Sequence, residues 1–192
     1  MKRILITLMV LATAISVARA DGELDKLLTS FDKQRLAQFD ETERQALAEA
    51  RAGGSREDVA VLDAALAGSP LAVEGAFDPV GNWKCRTIKA GGTLPLTVYS
   101  WFNCRISDDG AGWVLEKISG SQRTTGRFYT LSATRLAYLG AGHVAGEAPR
   151  RYGEDAKEDQ VAIVERLAKN RLVFQFPAPQ YESKLDILVL ER

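Results

Sequence analysis

Arg123 and Arg127 flank Thr124-Thr125-Gly126, and in an extended chain they share one face with Thr125. Two guanidinium groups so placed suit a phosphate or a carboxylate, which the planar fork meets with paired hydrogen bonds. The plainer alternative is a solvated strand face whose charges pair with acidic helices. Tyr152, Glu182 and Ser183 fall in loop-like stretches that can ring a binding mouth. His143 is the only histidine, so paired-histidine metal motifs are excluded and a Ser-His-Asp site has one possible base. It stands in Gly140-Ala141-Gly142-His143-Val144-Ala145-Gly146, read as a Gly-rich, solvated loop. Glu147-Ala148-Pro149 follows where a dinucleotide-binding helix would have to open, so that motif is rejected. Asp108-Asp109-Gly110 lacks the further ligands of a calcium loop and reads as a hairpin turn. No catalytic residue, cofactor or metal-ligand set is assigned.

These residues need elements to position them. Residues 1–20 have the order of a secretory signal peptide: Lys2 and Arg3, an apolar run from Ile4 to Val17, and Ala18-Arg19-Ala20 as cleavage site. The run is shorter than the roughly 20 apolar residues of a spanning helix. The working chain is therefore expected to begin at Asp21 and to carry no membrane span. The full chain has 25 basic and 25 acidic residues, and three of the basic ones lie in the signal, leaving a net charge of −3. That balance offers no footprint for nucleic acid, which calls for a strongly basic face.

Residues 21–67 read as a helical segment. Leu24, Leu27, Leu28 and Phe31 recur at the spacing of one helical face. Asp40 is placed to cap a second helix running through Ala52, which Gly53-Gly54 ends. Ser55 and Asp58 resemble a capping box that opens a third helix, with Val59, Leu62 and Leu66 inward. A linker containing Gly68, Pro70, Gly75 and Pro79 follows.

From Gly81 the period falls to two. Strands are expected at 82–89, 96–106, 113–118, 123–131, 135–139, 160–166, 171–176 and 185–191, with one long connection over 140–159. Short spacing without intervening helices argues for an antiparallel barrel or sandwich, and eight strands suit a small barrel. The fold class is α+β, an N-terminal helical segment packed on an eight-stranded antiparallel barrel over residues 81–192.

A tight hairpin turning at Thr93–Leu96 pairs residues whose numbers sum to 189. That register sets Cys85 opposite Cys104, Trp83 opposite Ile106 and Thr87 opposite Phe102. Directly opposed residues lie about 4.5 or 5.5 Å apart at Cα, within disulfide reach. An oxidising compartment then predicts a Cys85–Cys104 bond. Free buried thiols or half a metal site are the alternatives. Trp83, Cys85, Phe102, Cys104 and Ile106 form the core face. Tyr99 and Trp101 project from the other face, where the helices are expected to cover them.

Gly81-Asn82-Trp83, opening the first strand before eight strand candidates, resembles the G-x-W start of the lipocalin barrels. That resemblance implies a Trp83 that plugs the closed end, with Arg192 at the chain end available to lie over its ring. The runs Gly81–Lys89, Val98–Arg105 and Gly120–Gly126 resemble the uncharacterised proteobacterial exported family known as domain of unknown function 4893. This second resemblance implies a Gram-negative periplasm and no activity.

Three functions follow, in order. The first is a non-catalytic binding module holding a small, partly apolar ligand in the barrel mouth, with Arg123, Arg127, Tyr152 and Glu182 as candidate ligand-binding residues. The second is a protein-interaction module, such as an inhibitor of an envelope enzyme. A hydrolase ranks last for want of a nucleophile and base pair. An open barrel interior favours the first, a filled one with an exposed aromatic patch the second.

Overall fold

β-Branched, aromatic and leucine residues alternate with polar ones through the last 112 positions, and the chain turns back on itself at each Gly- or Asp-rich break. In the computed structural model, which describes residues 21–192, this pattern gives eight strands. They are β1 (Gly81–Gly92), β2 (Leu96–Asp108), β3 (Trp113–Lys117), β4 (Gln122–Ser132), β5 (Arg135–Val144), β6 (Asp159–Ala168), β7 (Arg171–Pro177) and β8 (Ser183–Glu191). Each pairs antiparallel with the next, and β8 returns to β1 to close a barrel. The signal-peptide reading falls on residues 1–20, outside the described residues.

The Cys85–Cys104 disulfide is present, with Cα atoms 5.8 Å apart, but the register beneath it differs from expectation. Trp83, not Cys85, lies opposite Cys104, and Cys85 lies opposite Phe102. The bond therefore joins diagonal neighbours. Pro95 brings no N–H to a ladder, while Gly91 and Gly92 adopt φ of +68° and +96°. The hairpin accordingly turns at 93–95, earlier than the expected Thr93–Leu96. A slip of two residues leaves every side chain on its original face, so the expected core residues stay inward. Further along, Arg86 to Ile88 on β1 faces Trp101 to Val98 on β2, which places an extra residue in β2. This bulge brings Val98 beside Ile88 under the helices. Tyr99 and Trp101 stay uncovered, 40% and 38% exposed, contrary to expectation. The Arg86 guanidinium lies 4.4 Å from the Trp101 ring centre.

β5 runs five residues beyond its expected end, taking in the glycines read as loop. The reason is steric. A Cβ on Gly126 would lie 2.4 Å from Gly140 Cα, and one on Gly140 would lie 2.3 Å from the Tyr138 hydroxyl. The two glycines make the space that the Tyr138 ring fills inside the barrel, a use of strand glycine that composition hides.

Among the described residues, four helices precede the barrel: α1 (Asp21–Leu27), α2 (Ser30–Ala37), α3 (Phe39–Gly53) and α4 (Arg56–Leu66). The first expected helix is broken because the Thr29 hydroxyl accepts the Asp32 N–H at 3.1 Å, an N-cap that starts a new helix. Phe31 is consequently 48% exposed instead of sharing one buried stripe with Leu24. Asp40 lies in the first turn of α3, and the residue at its N-cap is Gln38. Ser55 caps α4 as expected, accepting from the Asp58 N–H at 3.0 Å. Ala46 and Ala50 of α3 are fully buried against the outer face of β1, β7 and β8, with Leu62 of α4, Ile88, Val173, Ile187 and Val189. Leu24 packs at a separate outer site with Ala137, Leu139 and Val161.

The linker is part of the barrel's closure. Leu71 and Val73 bond to the Arg166 and Ala133 carbonyls at 2.8 and 2.9 Å, across the end where β1 begins. The Trp83 indole donates to the Pro79 carbonyl at 2.8 Å. Arg192 donates to the Val80 and Asp78 carbonyls at 2.9 and 3.0 Å, with its guanidinium 4.3 Å from the Trp83 ring centre. Phe77, Trp113 and Phe128 meet edge to face beneath, so this end is filled.

Candidate functional site

The inner face changes character along the strands. On β1 it passes from Trp83 and Cys85 to Thr87 and Lys89, and on β3 from Leu115 to Lys117. β4, β6 and β8 run the opposite way and begin polar, with Thr124, Gln160 and Asp186, before turning apolar at Phe128, Ala162 and Leu188. Antiparallel pairing therefore collects the polar members at the end away from Trp83. There they line a cavity of about 500 Å³ with Phe176 and Leu188 in its wall.

Each polar group has its own setting. Thr124 donates to Gln160 Oε1 at 2.6 Å and lies 2.6 Å from the Tyr138 hydroxyl, which rises from the core. Burial pushes the Tyr138 hydroxyl well above the ordinary phenol range, so it stays protonated. Lys89 reaches Glu182 at 2.6 Å. Burial pulls Lys89 down, but the hydrogen bond to Glu182 and the charges of Asp186 and Glu182 outweigh it and hold it above the ordinary value. Asp186 accepts from the Ser183 hydroxyl at 2.5 Å, yet burial dominates and raises it above the usual carboxylate range.

Lys117 differs from Lys89. It is 8% exposed, donates to the Gln122 carbonyl at 2.6 Å, and lies with Nζ 4.2 Å from the Phe102 ring centre. No carboxylate pairs with it among the described residues. Burial first, and the charge of Arg123 second, hold it below the ordinary lysine value.

The rim is tied down by α2. Arg35, buried and paired with Asp32, also donates to the Asp159 carbonyl at 3.1 Å and reaches the Ala178 carbonyl at 3.5 Å. It thus joins the start of β6 to the β7–β8 loop. In that loop Ala178 and Glu182 hold φ of +45° and +70°, a conformation that strains a residue with a side chain. Tyr152 donates to Asp32 and accepts the Thr29 N–H at 3.1 Å. Its hydroxyl is pushed up to about 12, by burial above all and by Asp32.

The residues singled out from sequence are thereby separated. Arg123 lines the cavity and donates to the Gly120 carbonyl at 3.2 Å. Arg127 instead pairs with Asp109 in the β2–β3 turn, with one contact at 3.0 Å. The two arginines do not form one anion site. Asp108 and Asp109 each accept a backbone N–H two residues on, as a turn requires. Glu182 lines the cavity and Tyr152 secures α2. His143 is a strand residue, 9% exposed, with Nδ1 unpaired among the described residues, and not a solvated loop residue. Sequence reasoning missed Lys89, Lys117, Gln160 and Asp186. Their signal was parity: each continues an inward-facing series that starts with core residues.

A family model described as a domain of unknown function, DUF4893, matches residues 25–190. The chain belongs to that family, as the resemblance of its first strands implied. No curated protein and no solved structure matches the chain.

Proposed function

We propose that the protein is an exported periplasmic binding module that holds a small, partly apolar ligand in the open mouth of its barrel. The observation that carries this reading is the shared change of the inner face from core residues to Lys89, Lys117, Thr124, Gln160 and Asp186 around a cavity of about 500 Å³. That volume is within the range of small-molecule sites, where a mostly apolar wall carries a few placed polar groups. An eight-stranded barrel has room for one such ligand. Export is supported by the order of charge, apolar run and small residues over positions 1–20. A disulfide suits an oxidising compartment.

The test is an uncharged, environment-sensitive naphthylamine dye titrated into the chain starting at Asp21. Its fluorescence should rise with a single saturable site and fall back when Thr87→Trp fills the mouth. No enhancement with the wild-type chain would overturn the reading. Osmotic-shock fractionation with intact-mass measurement tests the compartment, the expected product starting at Asp21. The interaction-module reading draws on Tyr99 and on Trp101 under Arg86, and gains ground if the dye is refused.

A further inference from the structure

We propose that the ligand is a small monocarboxylate with an apolar body, and that the Lys117 ammonium is the seat of its headgroup. The inference rests on the cavity reading and narrows it to one chemical class. Among the cations in the lining, Arg35 is matched by Asp32 and Lys89 by Glu182, Arg123 is half-buried and donates to the Gly120 carbonyl, and Lys157 is exposed. Lys117 is more than nine-tenths buried, lines the same cavity and has no carboxylate partner among the described residues. A buried charge is ordinarily paired. Lys117 has instead one carbonyl acceptor, Gln122, and one aromatic face, Phe102. An ammonium has three donors, so hydrogen-bonding capacity remains for a carboxylate oxygen.

Charge selects the class further. Glu158, which has no basic partner among the described residues, and the partly buried Asp186 stand in the same lining and disfavour a dianion such as a phosphate monoester. Lys117 is the one lining cation that is both more than nine-tenths buried and without a carboxylate among the described residues, and a single negative charge answers it. Phe176 and Leu188 in the wall call for an apolar remainder.

Octanoate and 1-octanol serve as probes, titrated calorimetrically against the wild-type chain, Lys117→Met and Lys117→Arg. Wild type should prefer octanoate over octanol. Lys117→Met keeps the apolar stem and should lose about ten- to a hundredfold in octanoate affinity, the size of one charge-assisted hydrogen bond, while octanol binding holds. Lys117→Arg should keep the preference. Equal binding of both probes by wild type, or octanoate affinity untouched in Lys117→Met, overturns the headgroup assignment and leaves the cavity reading standing. Refusal of both probes overturns the two together. The wild-type preference is read without any variant, so a Lys117→Met chain that fails to fold does not remove the test.

Discussion

The two ends of the barrel are built from the same eight strands and are filled by opposite means. At the closed end Trp83 is 3% exposed, roofed by Arg192 and the linker, with the disulfide and a set of edge-to-face aromatic rings below it. At the open end the same inner face presents a lysine without a carboxylate among the described residues and an aspartate whose burial disfavours its charge, and the β7–β8 loop at the rim holds two non-glycine residues in left-handed backbone. One end gains from burying apolar area, the other carries desolvated polar groups that cost stability. A barrel arranged this way draws its stability from one end and spends some of it at the other.

The contrast predicts unequal responses to mutation. Trp83→Ala removes a buried ring, its hydrogen bond to Pro79 and the surface under Arg192. It should lose about 3–5 kcal/mol, the range for a large core aromatic. Trp101→Ala, on the outer face under Arg86 and 38% exposed, should lose about 1 kcal/mol or less. Thermal and denaturant melts of both variants decide the point. Greater damage from Trp101→Ala would mean that inside and outside are reversed.

Next in size is the disulfide. Cys85 and Cys104 are 19 residues apart, and closing a loop of that length is worth about 3 kcal/mol. Cys85→Ser should lose that amount in chemical denaturation, with non-reducing peptide mapping confirming the bond in the parent. A loss below about 1 kcal/mol would remove the bond from the closed end's contribution.

Gly140 tests how the middle layer between the ends is made. A methyl group there would meet the Tyr138 hydroxyl, Cζ of the same ring and the Thr125 carbonyl, all closer than 3.0 Å. Gly140→Ala should therefore destabilise by about 1–3 kcal/mol, the usual effect of overpacking. Gly146→Ala, where a Cβ meets nothing within 4 Å but φ is +95°, should lose about 1 kcal/mol from backbone strain alone. Equal losses at the two positions would show that Gly140 is not needed for close packing.

The barrel was legible in the sequence because alternation and turn residues act locally, and the disulfide because a two-residue slip preserves faces. The register itself was not, since Pro95 and the bulge near Tyr99 shift it by interactions that strand counting cannot see. The end of β5 was hidden because Gly140 and Gly142 read as loop unless the ring of Tyr138 is known to cover the first. Arg123 and Arg127 looked like partners from their shared face, yet four residues along a strand is roughly 13 Å, enough to place them towards opposite ends. Lys117 and Asp186 were readable only by carrying the inward parity of Leu115 and Leu188 one step further towards the mouth.

The smallest expected effect bears most directly on the open end. Burial and Arg123 hold Lys117 below the ordinary lysine value, which is about 10.4 in an unfolded chain. Between the lowered value and the ordinary one, the unfolded chain binds a proton at this site that the folded chain has released. Stability from this site alone then rises with pH across that window. Lys117→Met lacks the site, so the wild-type stability relative to the variant should increase as pH climbs from 7 towards 10. At pH 7 the variant should fall within about 1 kcal/mol of wild type, because losing the bond to the Gln122 carbonyl offsets relief of the buried charge. Paired denaturant titrations at several pH values give the slope with every shared titration cancelled. A relative stability that falls with pH would reveal a raised lysine with an acidic partner, and the difference between the two ends would narrow to one of shape.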